Sequence, residues 1–325
     1  MKEGIKKIAV IGAGTMGHGI AQAFAQAGYP VSLMSRTQKT LDRARSLIEA
    51  SVNTLIQEGM LAPGSGPTIL GRITPTTSIE EAAQDADIAF ETMAEDKEAK
   101  KAVFSQLDKY CPPRTLLASN TTYITIFDLV ETSRPDKVLI AHWYTPPQII
   151  PLVDVVKGPK TDMRNVEFMA ELLKEIGKKP AVFKKYVPGY VVTRLQIATL
   201  REILYLLDND FLSPEELDEA AKWGLALRMM IIGVVQRIDF GGLDLTVRNL
   251  EKSLFPPIPP DYKPTKIFEL VKQGHFGVKT GKGFYDYKGR SEAEVCQERD
   301  VSCSGCSRPW RRSTSEPRGR SKRRR

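Results

Sequence analysis

A short apolar run, Ile8-Ala9-Val10-Ile11, passes straight into Gly12-Ala13-Gly14-Thr15-Met16-Gly17 and then into a helical pattern, an order that few folds accommodate. Ile20, Ala21, Phe24 and Ala27 recur at the spacing of one helix face, Gly28 stops the pattern, and residues 31–34 read as a second apolar strand. Gly12 permits the tight turn out of the strand, Gly14 lets a ligand approach the backbone, and Gly17 lets the helix pack closely on the sheet. Thr15 and Met16 lie in the turn itself, where unpaired helix N–H groups and the helix dipole favour negative charge. A bare Gly-x-Gly-x-x-Gly is weak evidence, because glycines punctuate ordinary turns. The strand, turn, helix and strand around it make a dinucleotide pyrophosphate the expected occupant.

The end of the second strand bears on which dinucleotide binds. An acidic residue there accepts hydrogen bonds from the ribose 2′-hydroxyl of NAD, whereas a nearby Arg suits the 2′-phosphate of NADP. This chain has Ser35 and Arg36. No carboxylate repels a phosphate, the Ser hydroxyl can donate to it, and guanidinium matches two phosphate oxygens at once. NADP is expected, with NAD as the alternative if Arg36 only stacks on the adenine.

A chain of 325 residues leaves room for two domains and a tail. It shows neither a signal pattern nor an apolar stretch of membrane-spanning length, so a soluble cytoplasmic protein is expected. The net charge is +8, but residues 301–325 hold nine Lys or Arg against one acid, which leaves the body neutral. That removes the charge argument for a nucleic-acid partner. Cys303 and Cys306 form a Cys-x-x-Cys pair, yet no second pair or His cluster stands nearby to complete a tetrahedral site, so no metal is expected. The stretch from Ser302 is rich in Ser, Gly, Pro and Arg, and residues 291–325 are read as a disordered basic tail.

Strands and helices alternate through the first part. Residues 39–59 form a helical stretch with Leu41, Leu47, Ile48, Val52 and Leu55 on one face. Short apolar strands follow at 88–91, 115–118, 138–141 and 152–155, with a helix at 95–107 between the first two. The expected fold class is α/β, a doubly wound Rossmann-type domain over residues 1–187. Near Val187-Pro188-Gly189 the pattern turns helical, at 191–208, 214–225, 230–240, 244–254 and 265–273, giving an all-helical second domain over 188–290. Ser213-Pro214-Glu215-Glu216 marks one helix start, and the Pro-rich run 255–264 reads as a stiff loop.

Oxidation of an alcohol by a nicotinamide needs a group that takes the hydroxyl proton, and histidine suits this because it titrates near neutrality. The chain offers three. His18 falls in the first turn of the cofactor helix and reads as structural or near the cofactor, while His275 sits in a Gly-rich connection. His142 directly follows the strand 138–141, and strand C-termini are where open α/β sheets place their sites. Asp154 lies at the end of the next extended run. A carboxylate on one ring nitrogen fixes the tautomer and stabilises the charged imidazole while the other nitrogen handles the proton. The same spacing also suits a satisfied histidine at a strand end.

With these residues in view the chain resembles the 3-hydroxyacyl-CoA dehydrogenase family over residues 5–290. The matching stretches are VIGAGTMGHGIA (10–21), ETMAEDKEAK (91–100), ASNTT (118–122), AHWYTPPQIIPLVDVV (141–156), PGYVVTRLQ (188–196) and FGVKTGKGFYDY (276–287). The resemblance implies interconversion of an L-3-hydroxyacyl-CoA and a 3-ketoacyl-CoA, with His142 as acid/base and Asp154 orienting it. It implies Glu95, Lys100 and Asn120 lining the cofactor and active-site cleft, Thr122 and Thr193 on the substrate side, and a helical domain that forms a homodimer interface.

The chain also departs from the family pattern. Asp154 stands where the family has a Glu, Thr122 keeps the hydroxyl of a Ser, and Thr193 and Thr145 replace two Asn. Glu58 stands where a Lys helps to hold CoA. The stretches PPQIIPLVDVV, TRLQ and GLALRM (224–229) are similar to the branch of gulonate and carnitine dehydrogenases and lambda-crystallin, whose substrates carry no CoA. There Arg228 could pair with a substrate carboxylate or, equally, serve as a helix-end arginine. The expected substrate is an acyl-CoA, with a free 3-hydroxy acid as runner-up. A cofactor-binding protein with little catalysis is the reading from another class.

Overall fold

All four residues of β1 (Ile8–Ile11) are buried, and they divide between two cores. Ile8 and Val10 face one side of the sheet with Ala21 and Phe24 of α1 (Gly17–Gln26) and Leu41, Ile48 and Val52 of α2 (Gln38–Gln57). Ala9 and Ile11 face the other side, with Ala82 and Ala83 of α4 (Ile79–Ala83) and Phe104 and Leu107 of α5 (Lys97–Tyr110). A strand covered on both faces has no need of polar alternation, which is why it reads as a continuous apolar run. Each large apolar side chain so buried contributes about 1.5–3 kcal/mol.

The computed structural model describes residues 5–252, 258, 259 and 261–302. The chain divides into a unit up to Tyr190, joined by the described residues from Cys296 on, and a second unit, Val191–Val295. In the first unit an eight-stranded sheet has the order β3-β2-β1-β4-β5-β6-β7-β8. The other strands are β2 (Val31–Met34), β3 (Ile73–Thr76), β4 (Ile88–Glu91), β5 (Leu116–Ser119), β6 (Val138–Trp143), β7 (Leu152–Lys157) and β8 (Lys179–Phe183). Strands β1 to β6 run parallel, the doubly wound arrangement expected from the sequence. Helices α3 (Gly66–Gly71) and α6 (Met163–Glu175) complete the covering layers. β3, α6 and β8 go beyond the sequence expectation.

After β6 the topology changes. The short loop 144–151 cannot make a parallel crossover, so β7 returns antiparallel to β6. The crossover through α6 then lays β8 parallel to β7.

The second unit is helical, as expected: α7 (Val192–Asp208), α8 (Pro214–Ala220), α9 (Leu227–Gly241), α10 (Leu243–Glu251) and α11 (Lys266–Lys272). Ser213 caps α8 in a capping box with Glu216. A π-helical stretch, Ala221–Ala226, joins α8 to α9, and α9 is kinked at Gly233, where φ is 74°. Asp208 ties α7 to α11 by accepting from the Tyr262 hydroxyl at 2.6 Å and the Lys266 amide at 3.0 Å. The expected helix end at 253–254, positions 255–257 and 260 of the Pro-rich run, and Cys303 with Cys306 lie outside the described residues.

Two boundaries move. The units part after Tyr190, three residues beyond the expected position, because Tyr190 is buried in the first. Residues 292–302, expected to belong to a disordered tail, are helical. Ser291 and Glu294 form a reciprocal cap, and Asp300 is buried within 3.4 Å of Gln148 Nε2. Residues from 303 lie outside the described residues. No helix among the described residues is long and apolar enough to cross a membrane.

Candidate active site

The Gly-rich turn is built for close approach. Gly12 has a φ of 116° and a Cβ there would sit 2.8 Å from the Thr92 carbonyl oxygen, while a Cβ at Gly17 would sit 1.7 Å from the Gly12 carbonyl oxygen, so the helix meets the turn only because Gly17 lacks a side chain. A Cβ at Gly14 would meet nothing within 4 Å, and Gly14 and Thr15 are exposed. Helix α1 starts at Met16 with no side-chain cap and no acid in its first turn, which leaves its N–H groups and positive dipole end for an anionic ligand. These residues fit a dinucleotide pyrophosphate. His18 Nδ1 lies 2.7 Å from the Gly14 carbonyl, and burial holds its pKa below the ordinary value. The contact of Nδ1 with the Gly14 carbonyl ties the ring to the Gly-rich turn. Ser35 is buried at the end of β2 with its N–H donating to the Thr76 carbonyl at 3.1 Å; Arg36 beside it is exposed and makes no ion pair among the described residues.

The antiparallel return of β7 sets His142 directly opposite Asp154. A separation in sequence thus becomes a cross-strand pair on one face. His142 is buried, with Nε2 3.1 Å from Thr122 Oγ1 and Nδ1 3.7 Å from Asp154 Oδ2. The second distance suits an ion pair and is too long for a hydrogen bond. Neither His142 Nδ1 nor Asp154 Oδ1 has a hydrogen-bond partner, and both are buried. The Tyr144 hydroxyl donates to Asp154 Oδ2 at 2.5 Å. The rings of Tyr144 and Tyr190 stand 4.7 and 4.8 Å from that of His142. Tyr190, at φ 49°, donates its hydroxyl to the Thr121 carbonyl at 2.7 Å, and burial drives its pKa far up, so it stays a neutral wall.

One carboxylate gathers the loop that presents Thr122. Glu95 Oε1 accepts from the Thr121 hydroxyl at 2.7 Å and from the amides of Thr122, Tyr123 and Ile124 at 3.0, 2.7 and 3.0 Å. Burial alone would raise its pKa; the Tyr123 amide, the Thr121 hydroxyl and Lys100 outweigh that and hold it below the usual value. Lys100 is 1% exposed and spends its ammonium on both oxygens of buried Glu91 at 3.0 Å and on Glu95 at 3.4 Å. Through Glu95 it is linked to the loop that presents Thr122. Ser119 donates to the same Glu91 at 2.5 Å. Asn120 Oδ1 accepts the Trp143 amide at 2.8 Å and so ties the end of β5 to the residue after His142.

Two family models cover the chain almost end to end: the NAD binding domain of 3-hydroxyacyl-CoA dehydrogenase over residues 7–186 and its C-terminal domain over 189–287. This chain belongs to the 3-hydroxyacyl-CoA dehydrogenase family. It is an oxidoreductase with an NAD-binding domain. A 3-hydroxybutyryl-CoA dehydrogenase of Clostridioides difficile is 36% identical, over 86% of this chain and 99% of that protein. A 5-formyl-3-hydroxy-2-methylpyridine 4-carboxylate 5-dehydrogenase of Mesorhizobium japonicum is 32% identical, over 87% and 91%. The crystal structure of a dehydrogenase with that pyridine activity, described as an NAD+ dependent dismutase, superposes with a TM-score of 0.81 at 30% identity, covering 94% of this chain and 98% of the other.

The first unit of this dehydrogenase brings together Gly12, Gly14, Thr15, Met16 and Gly17 in one turn, and His142, Asp154, Thr122, Asn120 and Glu95 around one histidine. Thr145, in the loop after β6, approaches the Gly-rich turn, its hydroxyl 3.1 Å from Met16 Sδ. Thr193 and Arg228 belong to the second unit. Thr193 is buried in the first turn of α7, whereas Arg228 is exposed and donates from Nε to the Gly224 carbonyl at 2.8 Å. Sequence reasoning missed Tyr144, Tyr190, Glu91 and Ser119. Only Tyr144 left a local signal: two residues beyond His142, it projects to the same side of an extended chain.

Proposed function

We propose that the enzyme interconverts an L-3-hydroxyacyl-CoA and a 3-ketoacyl-CoA, with His142 Nε2 as the acid/base and Asp154 orienting it. The observation that carries this reading is the His142–Asp154 cross-strand pair, with Thr122 on the other ring nitrogen. A nicotinamide dinucleotide held with its pyrophosphate on the Gly12–Gly17 turn would supply the hydride acceptor or donor. In the oxidation direction His142 takes the hydroxyl proton at Nε2, and the growing positive charge draws Nδ1–H toward Asp154 Oδ2. Thr122 exchanges its contact with Nε2 for one with the substrate oxygen, held in place by the Glu95 grip on residues 121–124. Thr193, buried in the first turn of α7, is the proposed substrate-side hydroxyl of the second unit.

NADP is the proposed preference, supported by the exposed, unpaired Arg36 beside Ser35 with no acid at the end of β2. A homodimer through the second unit is supported by the exposure of Trp223, Val235, Phe240 and Leu250 there. The cytoplasm is the proposed compartment; burial pushes the Cys111 thiol up to about 11, which makes it unreactive.

A second reading, the same chemistry on a free acid, is favoured by the pyridine 4-carboxylate in the name of the Mesorhizobium relative and by the exposed Arg228. One experiment separates the two. Absorbance at the nicotinamide band is followed with acetoacetyl-CoA and with free acetoacetate, using NADPH and NADH in turn. Turnover is expected with the CoA thioester, faster with NADPH, and lower by about 10³-fold in His142→Ala with cofactor affinity retained. Turnover of the free acid alone replaces the first reading with the second, and a fully active His142→Ala variant removes His142 from the mechanism.

A further inference from the structure

Asp154 is buried, and its closest proton donor is not the histidine it faces. The Tyr144 hydroxyl reaches Asp154 Oδ2 at 2.5 Å, while His142 Nδ1 stands 3.7 Å from the same oxygen. The three side chains form a closed group, because the Tyr144 ring also packs edge-on against the imidazole at 84° between planes. A hydrogen bond of this length to a carboxylate is charge-assisted and strong. It stabilises the carboxylate and weakens the field that this oxygen projects onto a protonated imidazole.

We propose that Tyr144 is a positioning residue for the acid/base step, holding Asp154 in place and setting, with it, how readily His142 accepts the substrate proton. The proposal rests on the reading of His142 as the acid/base. The substrate proton moves to His142 Nε2, Nδ1–H turns to Asp154 Oδ2, and Tyr144 keeps its own proton throughout. The other groups that face the imidazole are of a different kind. Tyr190, from the end of the first unit, is held neutral by burial and donates elsewhere. Tyr186 packs on Tyr190 rather than on His142. Thr122 does not titrate, and Glu95 behind it is bound by the 121–124 loop and Lys100. Tyr144 and Asp154 are therefore the pair that acts on Nδ1.

The test uses the full-length enzyme and 3-hydroxybutyryl-CoA oxidation, with Tyr144→Phe keeping the ring and removing only the hydroxyl. The acid limb of the kcat/KM profile is expected to move to higher pH by about 0.5–1 unit, because the freed carboxylate acts on the imidazole alone. Plateau kcat changes less than about fivefold, since the ring packing stays. The His142 imidazole resonance, assigned by its loss in His142→Ala, is titrated by NMR in the same variants and needs no turnover. In an Asp154→Asn background Tyr144→Phe is expected to move that titration no further, because the group through which the hydroxyl acts has gone. An unmoved limb and titration in Tyr144→Phe, or an equal shift with and without Asp154, overturns the role given to Tyr144. A fully active His142→Ala variant overturns the acid/base reading instead, so the two failures are distinguishable.

Discussion

The two units solve opposite problems. In the first, charged residues lie inside and are answered: Glu91 and Lys100 are fully buried, and each finds its partner at 3.0 Å. In the second, apolar residues lie outside and are not: Trp223, Ile231, Val235, Phe240 and Leu250 are 70–75% exposed. Among its described residues, only Thr193, Leu204 and Leu207 are buried. A helical unit with so little inside cannot draw its stability from its own core. The first unit pairs its buried charges internally, whereas the second leaves a large apolar surface exposed. The lesson is that a buried charge in this chain signals a finished structure, and an exposed leucine an unfinished one.

The largest expected effect attacks the finished side. Lys100→Met removes the ammonium that neutralises Glu91 and leaves a buried, unpaired carboxylate. Breaking such a pair costs about 3–5 kcal/mol. A calorimetric Tm should fall by roughly 10 °C, since each kcal/mol shifts a unit of this size by a few degrees. The same variant separates scaffolding from cofactor contact. If Lys100 acts only through Glu91 and Glu95, the protein that remains folded binds dinucleotide with nearly unchanged affinity. A stable variant with lost cofactor affinity would mean that the lysine touches the ligand after all.

On the unfinished side the expected effect is on assembly. Val235→Arg places a charge on α9 where solvent already reaches, so a monomer should tolerate it with Tm changed by no more than about 2 °C. A homodimer that buries this face would have to bury an unpaired guanidinium, weakening association about a hundredfold or more. Sedimentation equilibrium of the two proteins reads the difference. Dimers of equal strength would place the contact elsewhere and leave the exposed face of the second unit without its proposed partner.

How much of this was legible in the sequence follows the same division between local and distant causes. The Gly-rich turn, the second strand and the cap at Ser213 are written within a few residues of one another, and each stands where its pattern puts it. The exposed apolar face of the second unit gave only a periodic apolar pattern, which cannot distinguish a core from a surface. β3 escaped notice because it is half exposed and carries Pro75, contrary to the apolar run of a central strand. Residues 291–294 did carry a helix-start signature, Ser-x-x-Glu, that the composition of the stretch beyond it obscured. His142 and Asp154 were legible as types and expected at strand ends, but β6 runs on to Trp143 and β7 to Lys157, so both lie within their strands, and their facing register depends on the direction of β7, which the sequence does not state. The partners of Tyr190 and Lys100 could not be read for one reason: Thr121 and Glu91 lie on other strands and loops. Long-range satisfaction of a polar group leaves no periodicity behind.

The smallest expected effect concerns pH, and it again sets one unit against the other. Glu95 has its carboxyl held below the usual range, so its contribution to stability is complete above the ordinary carboxylate pKa and is lost as pH falls through the lowered value. On acidification the grip on residues 121–124 should loosen and Thr122 should leave His142, with activity failing before global unfolding. Glu95→Gln should lower Tm at neutral pH by about 2–4 °C, as expected for partly exposed hydrogen bonds to a charged group. It should also flatten the fall of Tm in acid, because the variant has no carboxylate there to protonate. Glu216 in the second unit makes the control. The Ser213 amide and hydroxyl hold its carboxyl below the usual range as well, yet it is fully exposed. Glu216→Gln should leave both the acid slope and the activity profile unchanged. Equal responses from the two variants would mean that the fourfold grip of Glu95 on the loop contributes no more than an ordinary surface cap, and that Thr122 is held to His142 by something else.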